Sequence, residues 1–79
     1  MKLQIVISGQ SLELRVAKKT LISKVISDAR NKTGNIGNNV EWEARDIGGK
    51  LLDNNTTVEA QKLMENQRVY INPMAGAGG

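Results

Sequence analysis

The chain has 79 residues, enough for one domain, and carries 11 Lys and Arg against 8 Asp and Glu for a net charge of +3. It contains no His and no Cys, which excludes imidazole as base, acid or metal ligand, and excludes thiolate nucleophiles, disulfides and thiolate metal sites. Its apolar runs are too short to span a bilayer, and Met1-Lys2 leads straight into an alternating pattern, so a cytoplasmic protein with no membrane association is expected.

Leu, Ile and Val supply 20 residues, well above the level of a disordered chain, so a domain that folds without staples is predicted. Leu3, Ile5 and Ile7 alternate with Lys2, Gln4 and Val6, the pattern of a strand with an apolar inner face. Ser8-Gly9-Gln10 supplies a turn. Leu12, Leu14 and Val16 then alternate with Ser11, Glu13 and Arg15, so the two runs form an antiparallel hairpin. The period next switches to about 3.6 residues: Leu21, Ile22, Val25, Ile26 and Ala29 make one stripe, and Ser23, Lys24, Ser27, Asp28 and Arg30 fill the other side. Thr20 is the expected N-cap and Gly34 the expected left-handed C-terminal cap of a helix from Leu21 to Thr33.

Asn35 to Asn39 reads as a loop. Val40, Trp42 and Ala44 alternate with Glu41, Glu43 and Arg45 as a third strand, with the Trp42 indole in the core or at its edge. Gly48-Gly49 turns the chain, Leu51-Leu52 forms a very short fourth strand, and Asp53-Asn54-Asn55 turns it again. Thr56-Thr57-Val58-Glu59 fits a capping box and predicts a short helix to about Leu63. Arg68 to Asn72 is the last strand, with Val69 and Ile71 inward and Tyr70 outward. The order defines an α+β domain over residues 1–72, one sheet crossed by one long helix.

Pro73 follows, where its missing N–H is expected to end ladder pairing. Residues 73–79, Pro73-Met74-Ala75-Gly76-Ala77-Gly78-Gly79, have little to bury and read as a flexible tail. Fully extended, such a tail reaches about 25 Å, enough to thread a cleft on another protein.

The rest of the chain offers little catalytic chemistry. Ser8, Ser11, Ser23 and Ser27 have no matching base. Glu41 and Glu43 share the outer face of a strand, where solvation is the simpler reading than acid–base or metal work. Gly48-Gly49-Lys50 lacks the spacing of a phosphate-binding loop and does not open a helix. The basic residues are scattered and only two aromatics, Trp42 and Tyr70, are present, so no nucleic-acid footprint is expected. A non-enzymatic protein without metal or cofactor is predicted. The one group left for chemistry is a carboxyl at Gly79, where the absence of a Cβ leaves the carbonyl uncrowded.

The chain resembles the ubiquitin-like β-grasp proteins over its whole length. The resemblance lies in Met-Lys-Leu-Gln-Ile-Val at the start, Thr20-Leu21-Ile22 opening the helix and Gly34 closing it. It continues through Gly49-Lys50-Leu51-Leu52-Asp53, Thr57-Val58, and Val69-Tyr70-Ile71 before the diglycine. It implies a mixed sheet of strand order 2-1-5-3-4, with the first and last strands parallel at its centre. The implied role is a protein modifier: an E1-like activating enzyme adenylates Gly79, an E2-like conjugating enzyme carries it as a thioester or similar ester, a target protein's amine, usually a lysine, accepts it, and a deconjugating peptidase reverses the bond. Gly78 and the tether Pro73, Met74, Ala75, Gly76 and Ala77 would sit in the activating enzyme.

Two departures stand out. Met74 to Ala77 bear no arginine, and the positions matching ubiquitin's apolar patch (Ser8 or Gly9, Asp46 and Asn72) are not apolar. The chain is therefore more similar to the divergent ubiquitin-like proteins of bacterial operons, often tied to antiphage defence. Arg15, Asp46, Arg68 and Tyr70, opposite the helix, are the expected partner face of a monomer. Lys50 stands out among seven lysines (2, 18, 19, 24, 32, 50 and 62) as an acceptor for a second copy. Two other roles fit the same resemblance. One is a sulfur carrier with a C-terminal thiocarboxylate; the other is a plain β-grasp interaction module. The helix-and-capping-box segment before the last strand and the long tail favour the modifier.

Overall fold

The computed structural model describes residues 1–36 and 40–74. Strands β1 (Lys2–Ile7) and β2 (Gln10–Arg15) form the antiparallel hairpin, with Leu3 opposite Leu14 and Ile5 opposite Leu12. The turn between them has two residues, Ser8 and Gly9, both at positive φ (48° and 78°). That is the mirror-image turn whose twist matches a right-twisted hairpin, and a glycine at its second position adopts it without strain. Helix α1 (Ile22–Thr33) follows, then β3 (Trp42–Arg45) and β4 (Gln67–Pro73). The result is an α+β architecture: a mixed four-stranded sheet of order β2-β1-β4-β3 with one helix. β1 and β4 are parallel, Ile5 opposite Val69, while β3 runs antiparallel to β4, Ala44 opposite Ile71.

The core lies between α1 and one face of the sheet. Leu3, Ile5, Ile7, Leu14, Ala44, Val69 and Ile71 meet Ile22, Val25, Ile26 and Ala29, all of them buried. Each Leu, Ile or Val among them contributes roughly 1.5–3 kcal/mol by leaving water, so a short chain is held by a dense set of small terms. Leu12 is only partly buried at the rim of this cluster. The helix ends as its sequence dictates. Gly34 is left-handed (φ 76°), and the Asn35 N–H donates to the Arg30 carbonyl at 2.9 Å while the Gly34 N–H reaches Asn31, a paired closure that only a residue free of Cβ strain makes cheaply.

The helix start departs from expectation. Its N-cap is Leu21, 45% exposed and without a side-chain cap bond, rather than Thr20. The Thr20 hydroxyl accepts instead from the Ala17 N–H. The first helical donors are met by carbonyls from a distant loop: Ile22 donates to Thr56 and Ser23 to Asn54. Those two bonds also explain the missing fourth strand. Arg45 and Leu51 form a single bridge, supported by the Leu52 N–H on the Ala44 carbonyl, and Leu52 buries its side chain (2% exposed). The chain must then turn away from β3 so that Asn54 and Thr56 can reach α1.

The predicted second helix is a set of hydrogen-bonded turns. Gln61 donates to Thr57 in the helical manner, but Lys62 donates to Glu59 and takes a positive φ of 58°. The cap is Thr57, whose hydroxyl accepts from Ala60; Glu59 uses its N–H on the Lys18 carbonyl instead of closing a capping box. Burial of Val58 and Leu63 in the core wins over helix continuation.

Candidate functional site: the end of the central strand and the outer face of the sheet

β4 runs one residue further than the alternation predicts. Pro73 stands opposite Trp42, and the Met74 N–H donates to the Glu41 carbonyl at 2.8 Å. Since bonded and non-bonded positions alternate in an antiparallel pair, Met74 and Glu41 take the bonded one and the Pro73 nitrogen points away from β3. On that side β1 has already ended at Ile7, opposite Ile71. The proline therefore costs no ladder bond, and two residues of the expected tether are attached to the sheet. Ala75, Gly76, Ala77, Gly78 and Gly79 lie outside the described residues.

The face away from α1 is set by strand parity. Gln4 stands between Glu13 and Arg68, Val6 between Ser11 and Tyr70, and Lys2 opposite Arg15. Three of the four expected face residues thus share it: Arg15 and Arg68 are exposed and Tyr70 is half-buried. Gln4, Val6, Ser11, Arg68 and Tyr70 line a shallow depression at its centre. Among the described residues the ion pairs are Lys24–Asp28 and Glu43–Arg45, so Arg15 and Arg68 carry uncompensated charge. Arg45, opposite Tyr70, is tied down by Glu43 and by the Gly49 carbonyl. Asp46 differs from the other three: it sits in the turn after β3, and its Oδ1 accepts the N–H groups of Gly48 and Lys50, each at 2.9 Å. Its first task is to hold that turn. Lys50 is exposed beside it.

The helix side holds contacts that pattern reading missed. The Arg30 guanidinium lies over the Trp42 ring, 5.1 Å from its centroid, and Arg30 Nε donates to the Asn35 carbonyl at 2.8 Å. The signal was available, since Arg30 is four residues beyond Ile26 and so shares its stripe. Trp42 packs on the core as a partly buried group, and among the described residues its indole N–H has no acceptor. Beside it lies a cavity of about 330 Å³ lined by Trp42, Leu51, Leu52, Asp53, Asn54 and Met74 among others.

Among the described residues no group of three or more acidic side chains stands where it could hold a metal ion, and no helix is long and apolar enough to cross a membrane. The molecule is thus defined by surfaces and by the run-out of a central strand. Over its whole length, residues 1–79, it belongs to the family described as Protein of Unknown function (DUF2604). No curated protein matches it.

Proposed function

We propose that the chain is a ubiquitin-like β-grasp protein modifier, conjugated through the carboxyl of Gly79 when that carboxyl is free. The observation that carries the reading is β4: a central strand parallel to β1 that leads straight into Met74-Ala75-Gly76-Ala77-Gly78-Gly79. A helix on one face and a basic, tyrosine-centred outer face also support it. The sheet would be the β-grasp sheet 2-1-5-3-4 with its last-named strand reduced to the Arg45–Leu51 bridge. The short second helix that favoured a modifier over a sulfur carrier is a run of turns, so the tail alone now supports that preference.

In the proposed reaction the Gly79 carboxylate attacks the α-phosphorus of a nucleoside triphosphate on an E1-like enzyme. Pyrophosphate leaves and an acyl-adenylate forms. A thiol or hydroxyl of the E2-like carrier displaces the nucleotide, and a lysine amine of the target displaces the carrier, forming an amide. The chain itself contributes an acyl group and a docking surface, and a peptidase hydrolyses the product. A cytoplasmic setting fits this chemistry.

The decisive measurement is mass spectrometry of tryptic digests from native cells. No Lys or Arg follows Arg68, so a conjugated copy leaves Val69 to Gly79 attached to the acceptor lysine as a branched peptide. Finding that branch establishes the reading and identifies the target; finding it on Lys50 shows chains. A terminal sulfur in place of oxygen would establish the sulfur carrier instead. An unmodified carboxyl in every fraction would leave an interaction module. Gly79→Ala should abolish the branch while leaving thermal unfolding unchanged.

A further inference from the structure

The free edge of β2 offers a binding surface that does not depend on whether Gly79 is ever conjugated. β2 stands at the end of the sheet and pairs on one side only, with β1. Just beyond the strand, Met1 and Val16 exchange both main-chain bonds. The Met1 amine donates to the Val16 carbonyl at 2.9 Å, and the Val16 N–H donates to the Met1 carbonyl at 2.8 Å. Bonded and non-bonded pairs alternate along an antiparallel ladder. Leu14, Leu12 and Gln10 therefore bond to β1, and the N–H and C=O groups of Ser11, Glu13 and Arg15 point outward. Among the described residues nothing bonds those outward groups. The same three residues carry exposed side chains on the outer face of the sheet. Glu13 and Arg15 make no ion pair among the described residues. Glu13 accepts from the Gln4 amide at 3.3 Å, and Arg15 lies opposite Lys2, a like-charge pairing that destabilises a sheet.

The geometry points to a second copy of this chain on that edge, in place of the monomer expected from the sequence: β2 pairs antiparallel with β2 of the other copy about a two-fold axis at Leu14. Outward groups must meet outward groups, so Ser11, Glu13 and Arg15 pair among themselves. Registers centred on Glu13 or on Arg15 set a charge against itself and are disfavoured. Registers centred on Ser11 or Leu12 bring no opposite charges together. The register centred on Leu14 sets Glu13 of each copy opposite Arg15 of the other. An edge lined with one sign of charge repels its own copy in every register. Here opposite signs two residues apart make the edge self-complementary, as an isologous interface requires. Each Arg15 then lies between Lys2 of its own chain and Glu13 of the other, which relieves the like-charge contact. On the helix side Leu12, only partly buried in the single chain, comes opposite Val16 of the other copy. The added ladder is short. Ala17 donates its N–H to Thr20 Oγ1 and accepts from the Thr20 N–H, so it has nothing to offer Ser11 of the other copy. The main-chain bonds of the interface are those between Glu13 and Arg15.

The test uses the full chain alone, with no activating enzyme, so its outcome is separate from that of the modifier reading. In a dilution series followed by sedimentation velocity, the parent should pass from one chain to two as concentration rises. Over the same series amide exchange should slow at Glu13 and Arg15 and stay fast at Ser11. Glu13→Arg leaves only cations on the edge and Arg15→Glu only carboxylates, so each alone should weaken pairing by about ten-fold or more. An equimolar mixture of the two variants should restore pairing, as should both substitutions in one chain. Melting curves at the dilute end should match the parent's, because both side chains are exposed. A parent that stays single at every concentration would overturn the inference. So would pairing that survives both charge reversals, or that the mixture fails to restore. Protection at Ser11 and Glu13 in place of Arg15 would overturn the register, and the charge argument with it.

Discussion

Trp42 sits where three demands meet: the core, the edge of the sheet and the end of the helix. Its ring packs on the buried cluster while its indole N–H has no acceptor among the described residues, and Arg30 lies over the ring at 5.1 Å from its centroid. A half-exposed cation–π contact of this kind is worth about 0.5–1 kcal/mol, and the Arg30 bond to Asn35 adds roughly as much. Arg30→Ala should therefore lower stability by about 1 kcal/mol, read as a lower denaturant midpoint at unchanged slope. Because Trp42 is the only tryptophan, its native emission should shift to the red in the same variant. A midpoint equal to that of the parent would mean that the guanidinium is solvated. Alternation alone placed Trp42 at the core's edge, yet it could not supply the guanidinium above it, because that contact joins elements distant in the sequence. Asp46 is a similar case. Its place after β3 was readable, but the two N–H groups it accepts depend on the turn geometry.

At the scale of elements, the sequence marks out whatever local rules control. Alternation fixes β1, β2, β3 and β4 to within a residue or two, and Gly34 ends α1. Local rules fail where a distant segment supplies the hydrogen bonds. Thr20 has the chemistry of an N-cap, but the carbonyls of Asn54 and Thr56 cap α1, and that same requirement pulls the chain off the β3 edge after Leu52. Neither outcome is encoded within ten residues of the position it decides. The cap is made by main-chain dipoles alone, and the first turn holds no acidic residue. A negative charge there interacts favourably with the positive end of the helix dipole by about 0.3–1 kcal/mol. Ser23→Glu, at an exposed first-turn position, should raise the unfolding midpoint accordingly, and the gain should shrink as salt screens it. A destabilised variant would show that the Ser23 N–H bond to Asn54 tolerates no bulk beside it.

For the molecule as a whole, the two faces of the sheet divide the work. One is committed to α1 and the core; the other carries Lys2, Arg15 and Arg68 around Val6 and Tyr70, and among the described residues Arg45 alone of its cations is ion-paired. The net charge of +3 is modest, so what matters is its placement. Uncompensated cations on an open face accelerate encounter with an acidic partner by roughly 10-fold or more, and salt weakens the effect. If the proposed activating enzyme docks here, Arg68→Glu should slow adenylation of Gly79 by about an order of magnitude at low salt, and the gap to the parent should narrow as ionic strength rises. Stability should hardly change, because Arg68 is exposed and makes no ion pair among the described residues. The control is the opposite edge. Glu41→Lys alters charge beside β3 without touching the outer centre, so it should leave adenylation alone. Equal slowing by both substitutions would mean that bulk charge drives the encounter; slowing by Glu41→Lys alone would move the enzyme's footprint to the β3 edge. Loss confined to Arg68→Glu, with an unchanged melting curve, would assign the outer face to the activating enzyme.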